Sequence, residues 1–185
     1  MLAMGVILAG MIVLGLFLVI LYNGLIKARQ MVAEGWSGVE VQLKRRSNLV
    51  PNLVETVKGY LTHEQSLLED VTRLRSQCRS ASDIPEKAKL EGALGRSLTG
   101  LLAVAESYPD LKASANFSKL QEQLAEVEDQ IQMARRYYNG SVRELNIKVE
   151  SFPGNLVAGT FGFKTAEFFE IESPEERAVP EVQFN

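Results

Sequence analysis

The chain has 185 residues, one cysteine, one histidine and a formal net charge of -3 at pH 7. That length suits one domain with appendages, and the charge gives no overall basic excess to draw the chain onto nucleic acid. Lone Cys78 excludes an intrachain disulfide framework and permits a reducing compartment, while one Cys and one His leave almost no material for a zinc site.

The first segment, Leu2 to Leu21, reads "LAMGVILAGMIVLGLFLVIL", twenty residues without a charge. As a helix it covers about 30 Å, the thickness of a hydrocarbon core. A cleaved signal peptide would need a basic start, a shorter apolar run and a small-residue cleavage site, and none of these is present. The expectation is a retained transmembrane anchor over 1–21. Lys27 and Arg29 follow the span and nothing basic precedes it. The positive-inside rule therefore puts the N-terminus outside and the C-terminal part in the cytoplasm. Tyr22 stands where an aromatic-belt residue would.

Beyond the anchor, apolar residues recur at helical spacing. Leu25, Val32, Trp36, Val39 and Leu43 make one stripe, and Val50, Leu53, Val54, Val57, Leu61, Leu67, Leu68, Val71 and Leu74 continue the pattern. Between them, "RRSNLVP" allows two readings. Ser47 and Asn48 are good caps and Pro51 suits a first turn, which favours a tight reversal; the clean step of seven from Leu43 to Val50 also permits one kinked, continuous helix. "SASDIPEK" at 80–87 breaks the next helix, with Asp83 or Ser82 as cap and Pro85 in the first turn. "SYPDLKASANF" at 107–117 breaks it again, with Asp110 or Asn116 as cap. Phe117 to Val149 then alternates apolar steps of 3 and 4, the spacing of a coiled coil, until "FPGN" at 152–155.

These elements predict an all-α protein. A single transmembrane helix leads into an antiparallel up-and-down four-helix bundle over 22–152, with approximate helices 22–46, 49–79, 85–107 and 113–150. The tail, 153–185, is expected to be mostly irregular, and residues 164–170 can form a short helix. Its apolar side chains Phe161, Phe163, Phe168, Phe169, Val182 and Phe184 need a surface to cover, on their own bundle or a neighbour's. Tyr22-Asn23-Gly24 and Tyr138-Asn139-Gly140 repeat a short word near the membrane end of the first and last bundle helices, either as a shared packing device or by chance.

The search for chemistry is short. His63 stands beside Glu64, but a zinc protease motif needs a second histidine four residues on, where Leu67 stands. No nucleophile elbow, phosphate loop or EF-hand spacing occurs. No cofactor is expected, and His63 is read as a residue at a helix end or an interhelical surface. Lys44, Arg45 and Arg46 form a basic cluster. A helix of about 20 residues beyond the membrane places it roughly 30 Å from lipid, several Debye lengths away. The cluster is therefore expected at a bundle end with Pro51, bonding loop carbonyls or a neighbouring subunit.

"YNGLIKARQMVAEGWSGVEVQLKRRSNLVPNLVETVKGYLTHE", "AESYPDLKASANFSKLQEQLAEVEDQIQMARRYYNGSV", "FPGNLVAGTFGF" and the terminal "PEVQF" together resemble the LemA family. The likeness runs from about Tyr22 to Phe184. Gly35 stands where alanine is expected before the tryptophan, and Leu145-Asn146 replaces a tyrosine-asparagine pair. The glycine is expected to loosen the helix by up to about 1 kcal/mol. The resemblance implies an N-terminally anchored bacterial membrane protein with an antiparallel helical bundle and no established enzymatic activity. It implies a family with a member implicated in forming magnetosome membranes and with members often encoded beside membrane metalloproteases. The expected function is a non-catalytic scaffold that sits in the lipid bilayer, self-associates and organises membrane or protein partners. The alternative is an adaptor or regulator of another membrane protein.

Overall fold

The first helix, α1 (Leu2–Lys58), runs through the uncharged segment and on past Pro51 without a break. It is followed by α2 (Gln65–Ser80), α3 (Ile84–Ala105), α4 (Pro109–Lys112), α5 (Ala115–Glu150) and α6 (Gly154–Phe161). These elements come from a computed structural model that describes residues 2–61 and 64–170. No strand occurs among the described residues, so the fold is all-α with a long apolar N-terminal helix.

The reversal expected at Ser47–Pro51 is not there; the chain takes the continuous alternative. The buried phase explains this, because Leu43, Arg46, Val50, Leu53 and Val57 keep steps of 3 and 4 across the proline while Pro51 itself faces outward. A proline inside a helix leaves the carbonyl four residues earlier without its N–H donor. That carbonyl belongs to Ser47, and Arg75 Nε of α2 donates to it at 2.6 Å. The expected helix 49–79 is split instead at Gly59, where glycine is a poor helix former and the apolar step from Leu61 to Leu67 is six.

Asp83 caps α3, its carboxylate accepting from the Glu86 N–H, with Pro85 in the first turn. At the start of α5 the cap is neither Asp110 nor Asn116: Ser114 Oγ accepts from the Phe117 N–H at 3.5 Å. The tail also differs from expectation. Residues 164–170 form no helix, and the helix lies earlier, at α6. Pro153 precedes its first turn, and Gly162 ends it at φ 70, a left-handed conformation that glycine adopts without a Cβ penalty.

The helices divide between two compact units. One is formed by the chain up to Glu40 with Met133–Phe168. Its buried residues include Leu25, Ala28 and Val39 of α1, Tyr138, Val142 and Leu145 of α5, Val157 and Ala158 of α6, and Phe163. The other is formed by Val41–Gln132 with Phe169. There Val50, Leu53 and Val57 of α1 meet Leu68 and Val71 of α2, Leu94, Leu98 and Leu101 of α3, Leu111 of α4, and Phe117, Leu120 and Leu124 of α5 in one core. Burying each such side chain contributes roughly 1.5–3 kcal/mol against the entropy of ordering the chain.

Candidate functional site

In the unit centred on Leu53, one member of the basic cluster, Arg46, turns inward. Lys44 is exposed, and Arg45 presents both terminal nitrogens to the two carboxylate oxygens of Glu126 at 3.2 Å. That fork is half exposed, so its Coulomb energy is largely offset by screening and side-chain entropy. Arg46 is different, at 2% exposed. It ion-pairs with the carboxylate of Glu91, itself 3% exposed, donates to the Glu91 carbonyl at 2.9 Å, and reaches Glu128 at 2.8 Å. The cluster therefore lies within α1, where Arg45 and Arg46 hold carboxylates of α3 and α5 and no loop carbonyl of the described residues is among their partners. Both partners stand on apolar stripes. Arg46 falls between Leu43 and Val50, and Glu91 falls three residues from both Ala88 and Leu94. A lone charge on a buried face was the signal that could have paired them, although spacing alone does not say which acid meets which base.

Cys78 of α2 is buried beside this clamp. Burial first, and then the Glu91 carboxylate, push its thiol up to about 12. The thiolate is the nucleophile, so Cys78 is inert at neutral pH. Among the described residues no group of three or more His, Cys, Asp or Glu side chains could hold a metal ion. His63 lies outside the described residues. Its neighbour Glu64 accepts a hydrogen bond from the Tyr108 hydroxyl at 2.8 Å, which holds the Tyr108 pKa above its usual value.

In the other unit the two Tyr-Asn-Gly words meet different partners. Tyr138 is fully buried and packs on Trp36, ring centroids 5.4 Å apart, and burial raises its pKa. Its hydroxyl donates to the Glu167 carbonyl at 2.8 Å. Asn146, on the same face two turns on, donates to the Ala166 carbonyl at 3.0 Å and accepts from the Ala166 N–H at 2.8 Å. These bonds hold the 163–168 segment and occupy backbone groups that a helix there would need. Asn139 is half-buried and Asn23 exposed. Tyr22 instead meets Phe161 and Phe163 edge-on, centroids 4.8 and 5.7 Å away, and Arg29 lies over the Phe163 ring at 5.2 Å.

The predicted tail residues therefore part company. Phe163 and Phe169 are buried, Phe161 and Phe168 are exposed, and Val182 and Phe184 lie outside the described residues. Sequence reasoning missed Glu91, Glu128, Arg75 and Asn146 as contact makers, because long-range pairing is not written in local spacing. What this arrangement does chemically is neutralise buried charge and fix helices, while the start of α1 and part of α6 leave apolar side chains exposed.

A family model described as LemA family matches residues 35–184. The chain is 26% identical over 175 residues to magnetosome protein MamQ 2 of Paramagnetospirillum magneticum, covering 80% of this chain and 64% of that one. Magnetosome protein MamQ of Magnetospirillum gryphiswaldense is 24% identical over 174 residues, with the same coverage of 80% and 64%. Protein LemA of Metamycoplasma hominis is 25% identical over 154 residues, 83% of this chain and 70% of that protein. The chain thus spans a little under two thirds of the length of the MamQ relatives it matches.

Proposed function

Starting from the fact that this chain belongs to the LemA family, we propose that it is a non-catalytic, membrane-anchored helical scaffold that self-associates and organises membrane or protein partners. The observation that carries this reading is α1 itself. Its uncharged start is exposed along Leu2–Ile20, long and apolar enough to cross a membrane, and the same helix continues into residues that two packed cores hold. Exposed apolar surface on that scale is stable only under lipid or protein. The anchor would then hold the helical part of the chain at one face of the inner membrane. The cations Lys27 and Arg29 favour the cytoplasmic face, with the N-terminus outside. The relatives named as magnetosome proteins are consistent with a membrane location. Met133, Tyr137 and Ile147 give α5 exposed apolar side chains for lateral contact between copies.

The second reading, an adaptor for another membrane protein, is favoured by one feature. An open groove of about 820 Å³ lies along α1 and α2, with apolar Val54, Leu61 and Leu68 beside charged Lys58, Glu69 and Arg73. A mixed lining of that kind suits a specific protein segment. The mass of the full chain in lipid nanodiscs separates the two. Several copies per particle are expected for the scaffold. A strict monomer that crosslinks to one dominant foreign membrane protein would replace it with the adaptor.

A further inference from the structure

Where α6 meets the end of the uncharged run there is a groove of about 550 Å³ lined by Leu18, Val19, Tyr22, Leu156, Thr160 and Phe161. The spacing of its α6 side follows from helix geometry, because positions 156 and 160 share a ridge and 157 and 161 share the next. Val157 is buried under this ridge, whereas Leu156 and Phe161 are each 62% exposed and Phe152, just before the helix, is 80% exposed. Such side chains grouped around one groove are unfavourable in water.

The other wall decides what covers them. Leu18 and Val19 belong to an uncharged run whose side chains are exposed throughout. Whatever solvates Leu18 and Val19 also reaches Leu156 and Phe161, because they face one cavity. Lipid is the solvent that twenty uncharged residues require. Tyr22 marks the boundary, edge-on to Phe161. Exposed Lys27 and Arg29 follow it on α1, and exposed Lys164 follows Gly162 after α6. An apolar face bordered by cations is the pattern of a helix lying in the headgroup layer, where anionic phosphates meet the cations.

We propose that α6 is a second membrane contact, whose groove with α1 receives phospholipid acyl chains and whose Phe152, Leu156 and Phe161 side chains sit in the interfacial layer. The proposal rests on the anchor reading of α1. It assigns "FPGNLVAGTF" a role in setting the depth and rotation of the anchor, beyond the span itself.

The test uses full-length chain in phosphatidylcholine–phosphatidylglycerol vesicles, with an environment-sensitive fluorophore on single introduced cysteines in a Cys78→Ala background. Leu156→Cys is the probe, Val19→Cys the lipid reference and Glu34→Cys the water reference. The expected result is a Leu156 label quenched by acyl-chain doxyl lipids, with iodide quenching several-fold below that at Glu34. Quenching by iodide at the Glu34 level would overturn the proposal. So would a label shielded from both quenchers, which would put protein, such as a second copy, over α6. If the Val19 label itself is open to iodide, the anchor reading fails; if only the Leu156 label is, the anchor stands and α6 alone is reassigned. Because Leu156 is exposed, its substitution leaves the core intact, and Phe152→Cys gives an independent second probe.

Discussion

Arg75 of α2 donates from Nε to the carbonyl oxygen of Ser47, the carbonyl that Pro51 leaves without its helical partner. One charged side chain from a second helix thus lets α1 run through a proline, and it also ties α2 to α1 at that point. The orphaned acceptor and its replacement donor are a coupled pair, so neither should be judged alone.

A double-mutant cycle tests the coupling. Arg75→Met in the parent chain should cost about 1–3 kcal/mol, the loss of a charge-assisted hydrogen bond with a buried acceptor left bare. Pro51→Ala restores an N–H to Ser47 and removes the ring clash, so it should stabilise by about 1 kcal/mol or more. In the Pro51→Ala background, Arg75→Met should cost less than half as much. Urea unfolding followed by far-UV circular dichroism gives all four values. Equal costs for Arg75→Met in both backgrounds would mean that the Ser47 contact is incidental.

The Arg46–Glu91 pair yields the largest single-site effect. Glu91→Ala strands a guanidinium that is almost fully buried, and breaking such a pair costs about 3–5 kcal/mol. Glu128→Ala should cost far less, about 1 kcal/mol, because its carboxylate is 43% exposed. Arg46→Met combined with Glu91→Leu should recover most of the loss, since an apolar pair of similar volume avoids the desolvation of both charges. A double variant as unstable as Glu91→Ala alone would show that the charges specify the packing and do not merely neutralise each other.

Cys78 gives the alkaline limb of stability. Its thiol rises from 9.0 to about 12 in the folded chain, through burial first and the Glu91 carboxylate next. A folded state that holds the proton more tightly is favoured while the thiol is protonated in both states, below about pH 9. The advantage is lost as pH climbs from about 9 toward 12, by at most about 1.4 kcal/mol per pH unit. Cys78→Ala should flatten that part of the stability curve, and an aromatic disulfide reagent at pH 8 should modify the thiol only after unfolding. Fast modification of the folded chain would refute the buried placement.

The parts of this fold that were legible in the sequence are those set by local pattern. Twenty uncharged residues, apolar steps of 3 and 4, and the cap at Asp83 are each written within one or two turns. The family, too, was readable from long ordered motifs. What escaped was decided by partners far along the chain. Ser47, Asn48 and Pro51 look like a helix start, while Arg75, 28 positions away, supplies the donor that the proline removes. The segment 163–168 carries helix-compatible residues, yet Asn146 and Tyr138 take its backbone groups first. The basic cluster was visible as charge but not as a clamp, because its acids lie 45 or more positions away.

Gly35 reverses an expectation drawn from propensity. By itself, glycine in a helix costs up to about 1 kcal/mol against alanine, so Gly35→Ala would stabilise an isolated α1. In the folded chain a Cβ at Gly35 would lie 3.0 Å from Tyr138 Cα and 3.2 Å from the Tyr137 ring. The first of these is backbone of another helix, which cannot swing aside as a side-chain tip can. Overpacking of that kind costs about 1–3 kcal/mol, so crowding outweighs propensity and a net loss of about 1 kcal/mol is expected. Trp36, the only tryptophan, packs on Tyr138 and reports the change directly: its emission should shift as the rings separate. Gly38 is the internal control, because it is exposed on the same helix and a Cβ there meets nothing within 4 Å. Gly38→Ala should therefore stabilise by up to about 1 kcal/mol. If Gly35→Ala stabilises as much as Gly38→Ala, with Trp36 emission unchanged, α1 and α5 do not need glycine for their approach, and alanine would serve equally well before the tryptophan.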